Sequence, residues 1–509
     1  MAGPKTFDDT MDIKDVQLGN VESRDSRDVE AENSDQRLKA VRRKVDIKIL
    51  LWYSFVYLIM RIHVSNVSNV AIINLEQGTG IRKQLGNLSA IQWAWVLSIF
   101  YYPYAAFEPA STLLLKRFKP NTWMSRIMIT WGVVSMCQGA TQSYSGILAC
   151  RFWQVSEGLA RSKSSLLTFQ HPGLDGSRLL PATLRYPADQ MALRIAFFYS
   201  CGQFSGTISG LLAYAISFMN GAGGLAGWRW VFILEGIPAI LCGMYTLFFL
   251  PNYPGPESKF LSAAETEVLI NDLPKSQPDA KAKTWDPAQA KALLQDPTFY
   301  TFTLIWMCHA IGGWGITTVL PTVIHDLGLT DSAVSQLMTM PTYAFGCGCL
   351  ILIGWLIHTK RIVSWAAAMT LELVACVCYI ILITVRTAIV RYIFLTIAVG
   401  CSISIYPILW PERIRAARGT TATGLAIGIT NAAAQLSGIV GPRVYLAEYG
   451  PMYRVSFAAS IGVLAGAIAS IGATWWIVRK RDIADLNAAS GTQAGAVSLA
   501  SSESDVAKA

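Results

Sequence analysis

The sequence contains few charged residues: 15% of its 509 residues are Asp, Glu, Lys or Arg, whereas 52% are hydrophobic. Soluble domains average about 25% charged residues, so this composition excludes an ordinary soluble domain and predicts a membrane protein with several spans. The formal net charge of +9 would suit a nucleic-acid partner. The basic residues, however, stand in short clusters between apolar runs, which indicates membrane topology and predicts no nucleic-acid partner.

Motifs of enzymes and of cofactor sites are absent from the sequence. There is no phosphate-binding GxxxxGK[ST] motif, so ATP is not predicted as an energy source. There is neither an HExxH motif nor a grouping of nucleophile, base and orienting residue, and the ten cysteines include no CxxC pair. These absences predict a protein that is not an enzyme and that binds neither a cofactor nor a metal.

Apolar runs divide the chain into twelve predicted membrane helices, six on each side of a polar loop at 251–297. A helix of about 20 apolar residues crosses the bilayer core. The fold class is therefore an all-α membrane protein, with an N-terminal half at 46–250 and a C-terminal half at 298–480. The predicted spans lie near 48–70, 91–115, 123–141, 144–160, 193–217, 228–250, 299–323, 333–357, 362–384, 388–410, 420–446 and 454–478.

The ends of the chain and the central loop are polar. The N-terminal tail at 1–45 is rich in Asp and Glu, and the C-terminal tail at 481–509 is rich in Ala, Ser and Gly. Such compositions cannot build a core and predict disordered tails, and no cleavable signal peptide opens the sequence. Ser262 and Glu265 in the central loop match a capping box, which predicts a short helix there.

Basic residues occur in alternate loops, and such clusters mark the cytoplasmic side of a membrane protein. Both termini and the central loop are therefore predicted to be cytoplasmic, in a multi-pass protein of the plasma membrane. Arg82 and Lys83, in a loop on the other side, are the exception. The clusters comprise Arg42, Arg43 and Lys44; Lys116, Arg117 and Lys119; Lys360 and Arg361; Arg413, Arg415 and Arg418; and Arg479, Lys480 and Arg481.

Several motifs are shared with a known transporter family. The sequences GWRWVFILEGIP at 227–238, ILACRFWQVSEG at 147–158 and GITNAAAQLSGIVGPRVY at 428–445 resemble the sixth, fourth and eleventh helices of the fungal allantoate and nicotinate permeases. These form a branch of the major facilitator superfamily, among the anion:cation symporters. The resemblance implies two six-helix halves, alternating access, and a cavity lined by the first, fourth, seventh and tenth helices.

The resemblance implies proton-coupled uptake of a small organic anion, such as a nicotinate-like or allantoate-like carboxylate. Its partners would be this anion, protons and membrane lipid, without an obligate protein partner. Two alternatives stay open: export of a fungal secondary metabolite through the same fold, and a non-transporting sensor or inactive relative.

Two departures from the family pattern bear on these expectations. The family carries an Asp-Arg pair in its first helix, where this chain has His63 and Val64. Residues 159–190 are polar and contain three prolines, so they should end the fourth helix near Ala160 and leave it short. This stretch is either an unspliced or misread gene segment or an extended cytoplasmic loop.

Polar residues inside the spans are the candidate substrate-binding groups. Arg151 in the fourth span would bind a carboxylate through its planar fork, although an internal ion pair between helices is an equal alternative. Asn66 lies on the first helix of the cavity. The seventh helix contributes His309, Trp314 and Thr317 around the glycine-rich sequence IGGWG at 311–315, because interrupted helices commonly bind substrates in transporters.

The candidate proton-coupling groups are His63, Glu108 and Glu235. His63 stands where the family has an acid, and a histidine titrates near physiological pH. Glu108 and Glu235 are charges inside spans, which predicts function by default. Each is equally suited to a structural pairing with Arg194 or Arg229. Glu372 in the ninth span, by contrast, is expected to be structural.

Overall fold

The computed structural model describes residues 36–41, 43–44, 47, 51–106, 120–162, 188–249, 262, 264–265, 286–417 and 420–506. Within these residues all regular structure is helical, and no strand occurs. The prediction of an all-α membrane fold is therefore confirmed. Glu108 lies outside the described residues, as do 163–187, which form most of the polar stretch at 159–190.

The helices of the N-terminal half follow the predicted spans closely. The long sixth helix was predicted at 228–250 and is observed at Gly227–Phe249, with Trp228 and Arg229 in its first turn. The fourth helix ends within two residues of its predicted end at Ala160. The helices are α1 (Leu51–Val70), α2 (Ala90–Ser98), α3 (Pro120–Gly139), α4 (Tyr144–Ser162), α5 (Ala188–Ser217) and α6 (Gly227–Phe249).

The helices of the C-terminal half also match their predicted spans. A short helix at Pro287–Gln295 precedes them, and a break near Gln435 interrupts the eleventh. Six helices in the described part of the chain, α6 and α8 to α12, are long and apolar enough to cross a membrane. The helices are α7 (Pro297–His309), α8 (Ser332–His358), α9 (Ser364–Thr384), α10 (Ala388–Ala416), α11 (Thr421–Val444) and α12 (Arg454–Val506).

The helix α2 is interrupted, which the continuous apolar run at 91–115 does not predict. It ends at Ser98, passes through a turn at Ile99 and Phe100, and resumes over 101–106. Pro103 accounts for the turn, because proline has no N–H to bond the carbonyl of Ile99 and its ring crowds that carbonyl. The interruption leaves backbone carbonyls of α2 available to side chains.

The C-terminal end of the described chain and the position of Arg413 both differ from the predicted pattern. The helix α12 continues from Arg454 to Val506, through the region expected to be a disordered tail, in keeping with the high helix propensity of its alanines. Arg413, counted as a loop charge, lies within α10 with 1% exposure. It packs against the rings of Phe299 and Phe302 of α7, so this position does not report topology.

The predicted capping box in the central loop is confirmed. The backbone N–H of Glu265 donates to Ser262 Oγ over 3.1 Å, and the N–H of Ser262 donates to Glu265 Oε2 over 2.8 Å. The Glu265 carboxylate also accepts a bond from Lys44 Nζ at 3.0 Å. These hydrogen bonds, with that of Ser262 first, hold the pKa of Glu265 below its usual range. The loop is thereby joined to the segment before α1.

Close packing of α3 on α6 depends on paired glycines. A Cβ atom added to Gly132 would lie 2.7 Å from the carbonyl oxygen of Gly236, and one added to Gly236 would lie 2.8 Å from that of Gly132. Small residues let helix backbones approach in membranes, where packing replaces the hydrophobic effect as the force between helices. Gly236, within the motif at 227–238, therefore has a packing role.

The two halves meet through α1 and the short helix Leu320–His325 that follows α7, α2 and α11, and α5 and α8. Ser68 Oγ donates to the carbonyl of Thr318 at 2.6 Å, and Gln336 Nε2 donates to the carbonyl of Asn69 at 2.6 Å. These contacts lie where α1 ends and α12 begins, a side called the distal face below. The halves are therefore closed against each other at the distal face.

Replacing Gly236 by alanine should loosen α3 from α6, because the added methyl group overlaps the Gly132 carbonyl. We expect Gly236→Ala to lower the free energy of unfolding by about 1–3 kcal/mol, measured by chemical unfolding of the purified protein. Gly462→Ala in α12 is the matched control, since nothing lies within 4 Å of its added Cβ. Equal stability of the two variants would contradict the packing role.

Candidate functional site

A half-buried cation lies between the two halves of the protein. The guanidinium carbon of Arg61, on α1, lies 5.7 Å from the ring centroid of Trp314, which follows α7. Arg61 also interacts electrostatically with the phenols of Tyr57, Tyr101 and Tyr343, from α1, the continuation of α2, and α8. We call these four aromatic residues the aromatic box. It combines side chains of both halves around one positive charge.

Three glycines hold the tyrosines of the aromatic box. A Cβ added to Gly202 or Gly206 of α5 would lie 1.9 Å from the ring of Tyr57 or 2.5 Å from that of Tyr343, respectively. A Cβ on Gly438 of α11 would lie 2.1 Å from the ring of Tyr101. Each ring therefore occupies space that any other residue would fill, and two of the three contacts join opposite halves.

The predicted glycine-rich break in the seventh helix is confirmed, and it positions Trp314 and Thr317. Beyond His309 the helix widens to a π-helix at Ala310–Trp314 and then narrows to a 3₁₀-helix at Gly315–Thr318. Thr317 Oγ1 donates to the carbonyl of Trp314 at 2.7 Å. Both side chains are half-buried. Of the predicted substrate-binding residues, Trp314 belongs to the aromatic box and Thr317 bonds its backbone.

Arg151 has a different set of contacts from those predicted for a substrate anchor. Its Nε donates to the carbonyl of Val96 at 3.2 Å and its Nη2 to that of Leu97 at 3.5 Å. Its guanidinium also lies 5.0 Å from the Phe100 ring centroid, and the residue is 3% exposed. These are the carbonyls freed by the turn in α2. The contacts favour the structural alternative, although the partner is backbone and not a carboxylate.

His309 lies inside the C-terminal half and has both ring nitrogens engaged. Nδ1 lies 2.7 Å from Glu372 Oε1 of α9, and Nε2 lies 3.1 Å from the carbonyl of Ser402 of α10. His309 and Glu372 are fully buried. In this conformation His309 joins three helices and presents no free nitrogen to a substrate. The contact with His309 is consistent with the expectation that Glu372 is structural, which stays a prediction.

His63, Asn66 and Glu235 are buried between helices of the N-terminal half without hydrogen-bond partners among the described residues. Their exposures are 3%, 1% and 5%. His63 lies beside the backbone of Glu235, and the bond from Trp52 Nε1 to Thr246 Oγ1 shows the same antiparallel alignment of α1 and α6 about three turns away. His63 and Asn66 of α1 are thus buried near the part of α6 that carries Glu235.

The proposed pairing of Glu235 with Arg229 does not occur. Arg229 donates to the carbonyls of Gly139 and Thr141, each at 2.8 Å, and its guanidinium lies over the Trp228 ring. For Glu108 and for the side chain of Arg194, the expected pairing lies outside the described residues. The described residues also contain no group of three His, Cys, Asp or Glu side chains close enough to hold a metal ion.

A polar cluster closes the distal face. Glu76, in the loop after α1, accepts bonds from the N–H of Ser332 at 2.9 Å and from its Oγ at 2.6 Å. His325, beyond the predicted seventh span, lies 3.5 Å from Asp326 Oδ1 and 3.7 Å from Glu76 Oε1. Asp326 also accepts a bond from the Tyr453 hydroxyl. The cluster joins the two halves through Glu76.

The titratable groups of the distal cluster shift in opposite directions. The carboxylate of Asp326, followed by that of Glu76, raises the pKa of His325 against the opposing effect of burial. Burial would raise the pKa of Glu76, but the bonds from Ser332 outweigh it and the pKa is lowered. His325 and Asp326 line a cavity at the distal face, and Arg82 is the third charged residue in its lining. The arrangement therefore favours the charged forms of both Glu76 and His325.

Comparison with known proteins gives consistent matches along most of the chain. The sequence profile of the Major Facilitator Superfamily matches residues 53–442. "MFS transporter prlL" of Fungal sp. (strain NRRL 50135) is 28% identical over 345 residues, which cover 67% of this chain and 66% of that protein. A "Putative tartrate transporter" of Agrobacterium vitis is 26% identical over 414 residues, which cover 81% of this chain and 88% of that protein.

A solved structure has the same fold. A bacterial homolog of the human lysosomal transporter Spinster, in an inward-facing and occupied conformation, aligns with a TM-score of 0.59 at 15% identity. The alignment covers 84% of this chain and 96% of that one. At this identity the likeness establishes the fold alone.

Replacing Arg151 by lysine tests its structural contacts. A lysine cannot donate to both carbonyls in the same geometry, so we expect Arg151→Lys to lower the free energy of unfolding by about 1–3 kcal/mol. Transport per folded molecule should stay close to that of the unchanged protein. Loss of transport at unchanged stability would restore Arg151 as a substrate-binding residue.

The distal cluster should make closure dependent on pH. His325 has a raised pKa, so its contribution to closure is complete below its ordinary pKa and is lost as the pH rises through the raised value. We expect a cysteine at Thr322, in the same cavity, to react faster with an impermeant maleimide at about pH 9 than at about pH 6, on either side of the His range. Each rate is divided by that of a fully exposed cysteine at the same pH, because a thiolate reacts faster than a thiol.

His325→Gln should remove most of this pH dependence, whereas His358→Gln at the far end of α8 should keep it. The expectation fails if labelling of Thr322→Cys is equally fast at both pH values in the protein with His325 intact.

Proposed function

Because the chain belongs to the Major Facilitator Superfamily and is a multi-pass membrane transporter, we propose that it takes up a small organic anion together with protons. It would do so by alternating access between its two six-helix halves. Within the superfamily, we place it in the branch of the allantoate and nicotinate permeases, on the motifs at 147–158, 227–238 and 428–445. A nicotinate-like or allantoate-like carboxylate is then the expected substrate.

The buried group of His63, Asn66 and Glu235 carries the proposal of proton coupling. An unpaired charge in a membrane protein is costly and persists where function requires it. His63 and Glu235 can each take up or release a proton, and Asn66 can orient either through its amide. None of the three has a hydrogen-bond partner among the described residues, so their protonation is free to change without breaking an existing bond.

Two further observations support an organic anion as the substrate. One relative that matches 81% of this chain carries the name of a putative tartrate transporter, and tartrate is an organic anion. The halves also enclose Arg61, a permanent cation, at the interface where transporters of this architecture bind substrates.

The proposed orientation places both termini and the central loop in the cytoplasm, with the protein in the plasma membrane. The basic clusters beside Lys44 and Lys360 and after Trp476 lie away from the distal face, which supports this orientation under the positive-inside rule. The distal face would then be extracellular. The conformation described here, closed at the distal face, would be one from which substrate is released to the cytoplasm.

Uptake into vesicles tests the function. We expect labelled nicotinate or another small carboxylate to accumulate when an inward proton gradient is imposed, and to stop accumulating when the gradient is collapsed. Accumulation driven by the opposite gradient would indicate export of a metabolite instead. A protein that moves no carboxylate in either direction would favour the sensor or inactive relative.

Replacing the proposed proton-coupling groups separates coupling from binding. His63→Gln should remove the pH dependence of uptake but leave exchange of internal for external substrate measurable, because glutamine keeps a polar side chain and cannot titrate. Glu235→Gln should act in the same way if both groups share the proton. His358→Gln is the matched control. An unchanged pH profile in both variants would assign coupling to another residue, with Glu108 the next to be tested.

A further inference from the structure

We propose that Arg61, surrounded by the aromatic box, is the residue that binds the anionic group of the substrate. We further propose that the box selects an anion with a flat apolar body. This inference rests on the proposed transport of organic anions and specifies its binding site. It assigns that role to a residue outside the shared family motifs and removes it from Arg151.

The first argument concerns hydrogen bonds. Among the buried and half-buried arginines of the described residues, Arg61 is the one whose guanidinium has no hydrogen-bond or ion-pair partner. Its Nε is buried without a hydrogen-bond partner, and no described carboxylate or carbonyl bonds its guanidinium. Arg391 Nε and Arg413 Nη2 are also unpartnered, but each of those arginines keeps another donor bonded. The others donate to a backbone carbonyl, a hydroxyl or a carboxylate: Arg82 to Leu88, Arg151 to Val96 and Leu97, Arg229 to Gly139 and Thr141, Arg391 to Pro451 and Met452, Arg413 to Thr430, Arg443 to Ile439, and Arg481 to Asp296.

An unpaired guanidinium in this setting is expensive. Taking a charge out of water without a partner is strongly unfavourable, even when part of the group stays hydrated. Contact with the Trp314 ring compensates only in part, because a cation over an aromatic face gains about 0.5–2 kcal/mol. A carboxylate bound through the planar fork would satisfy the donors that the protein leaves open.

The second argument is the location of Arg61. It belongs to the N-terminal half, whereas Trp314 and Tyr343 belong to the C-terminal half. An anion held by Arg61 would therefore contact both halves at once. A ligand changes a conformational equilibrium only through its different affinity for the two states, and a site shared by two moving halves provides that difference.

The third argument concerns the shape of the site. The Trp314 ring lies 5.7 Å from the Arg61 guanidinium, and Gly202, Gly206 and Gly438 fix the positions of the three tyrosine rings. Rings held in place lose little freedom when a ligand binds between them. Flat ligand bodies stack on such faces, while phenol hydroxyls can donate to a carboxylate oxygen. The site therefore suits an aromatic monocarboxylate better than a small polyhydroxy acid, whose hydroxyls would find few partners.

The fourth argument separates Arg61 from the proposed proton site. Arg61 and His63 are two residues apart on α1, which places them about 200° apart around the helix. His63 accordingly lies beside α6, next to Glu235, while Arg61 lies towards α7 and α8. Since a guanidinium does not lose its proton in proteins, Arg61 serves the anion and leaves proton exchange to the other side of α1.

The test measures binding by the purified full-length protein in nanodiscs, with benzoate as the aromatic anion, benzamide as its neutral analogue and tartrate as the polyhydroxy acid. We expect benzoate to bind more tightly than tartrate, and benzamide to bind weakly. Arg61→Lys should weaken benzoate binding by about ten- to a hundredfold, as for loss of a charge-assisted bond, and Arg61→Gln should abolish it. Trp314→Leu should reduce the preference for benzoate over tartrate.

Arg391→Lys and Arg391→Gln are the matched controls, because that arginine is more deeply buried than Arg61 and bonds carbonyls near the distal face. They should leave the dissociation constant of benzoate unchanged in the folded protein. Thermal unfolding of each variant confirms that the compared samples are folded. If Arg61→Gln unfolds, Arg61→Lys gives the decisive comparison.

The outcomes distinguish this inference from the proposed function. If folded Arg61→Lys and Arg61→Gln bind benzoate as tightly as the unchanged protein does, the role of Arg61 is overturned. Proton-driven uptake of carboxylates by the unchanged protein would still uphold the function. Tighter binding of tartrate than of benzoate overturns the selection of a flat body. If the unchanged protein neither binds nor takes up any of the carboxylates, both proposals fail.

Discussion

The cost of placing a polar group in apolar surroundings without a partner determines most of the arrangement described here. Every buried N–H, carbonyl and charge in the bilayer region needs an internal partner, because the lipid offers none. Arg151 and Arg229 meet this requirement by donating to backbone carbonyls at helix turns and ends, and Arg391 meets it through Nη2 while its Nε stays unpaired. His309 and Glu372 meet it by bonding each other. Groups that fail to meet it stand out as candidates for function.

Those exceptions fall into two sets with different chemistry. His63 becomes neutral by losing a proton and Glu235 by gaining one, so the energetic cost of leaving either side chain unpaired is limited. Arg61 cannot become neutral, and its position between the halves, with one face towards aromatic rings, leaves it only partly hydrated. Titratable groups buried within one half suit proton exchange, whereas a permanent cation at the interface suits an anion that arrives from water.

Much of the fold was predictable from the sequence because apolar length and helix-breaking residues are local signals. The bounds of α6 and α9, the capping box at Ser262 and the break at 311–315 follow from such signals. The turn in α2 was not expected, although Pro103 offered a local signal for it. The end of α12 also differs, since alanine-rich sequence suits a helix and a tail alike.

The candidate site was less predictable, because its members come from distant parts of the chain. Arg151 satisfied every sequence criterion for a substrate anchor, yet its partners are carbonyls of residues 96 and 97, on another helix. Arg61 lies outside the motifs compared with the family. Its significance depends on its contact with Trp314 and on the lack of a hydrogen-bond partner among the described residues. The one available signal was a charge within the first apolar run, a general indicator of function.

The helix α1 connects these features, and this connection suggests how binding could drive transport. One side of α1 carries Arg61, another carries His63 beside Glu235, and its end carries Ser68, whose hydroxyl bonds the C-terminal half at Thr318. A rigid helix cannot shift at one of these contacts without moving the others. In the proposed mechanism, neutralising Arg61 with an anion and protonating Glu235 beside a neutral His63 both remove charge from around α1. Each would then lower the cost of moving α1 away from water, so anion and proton favour the same conformational change.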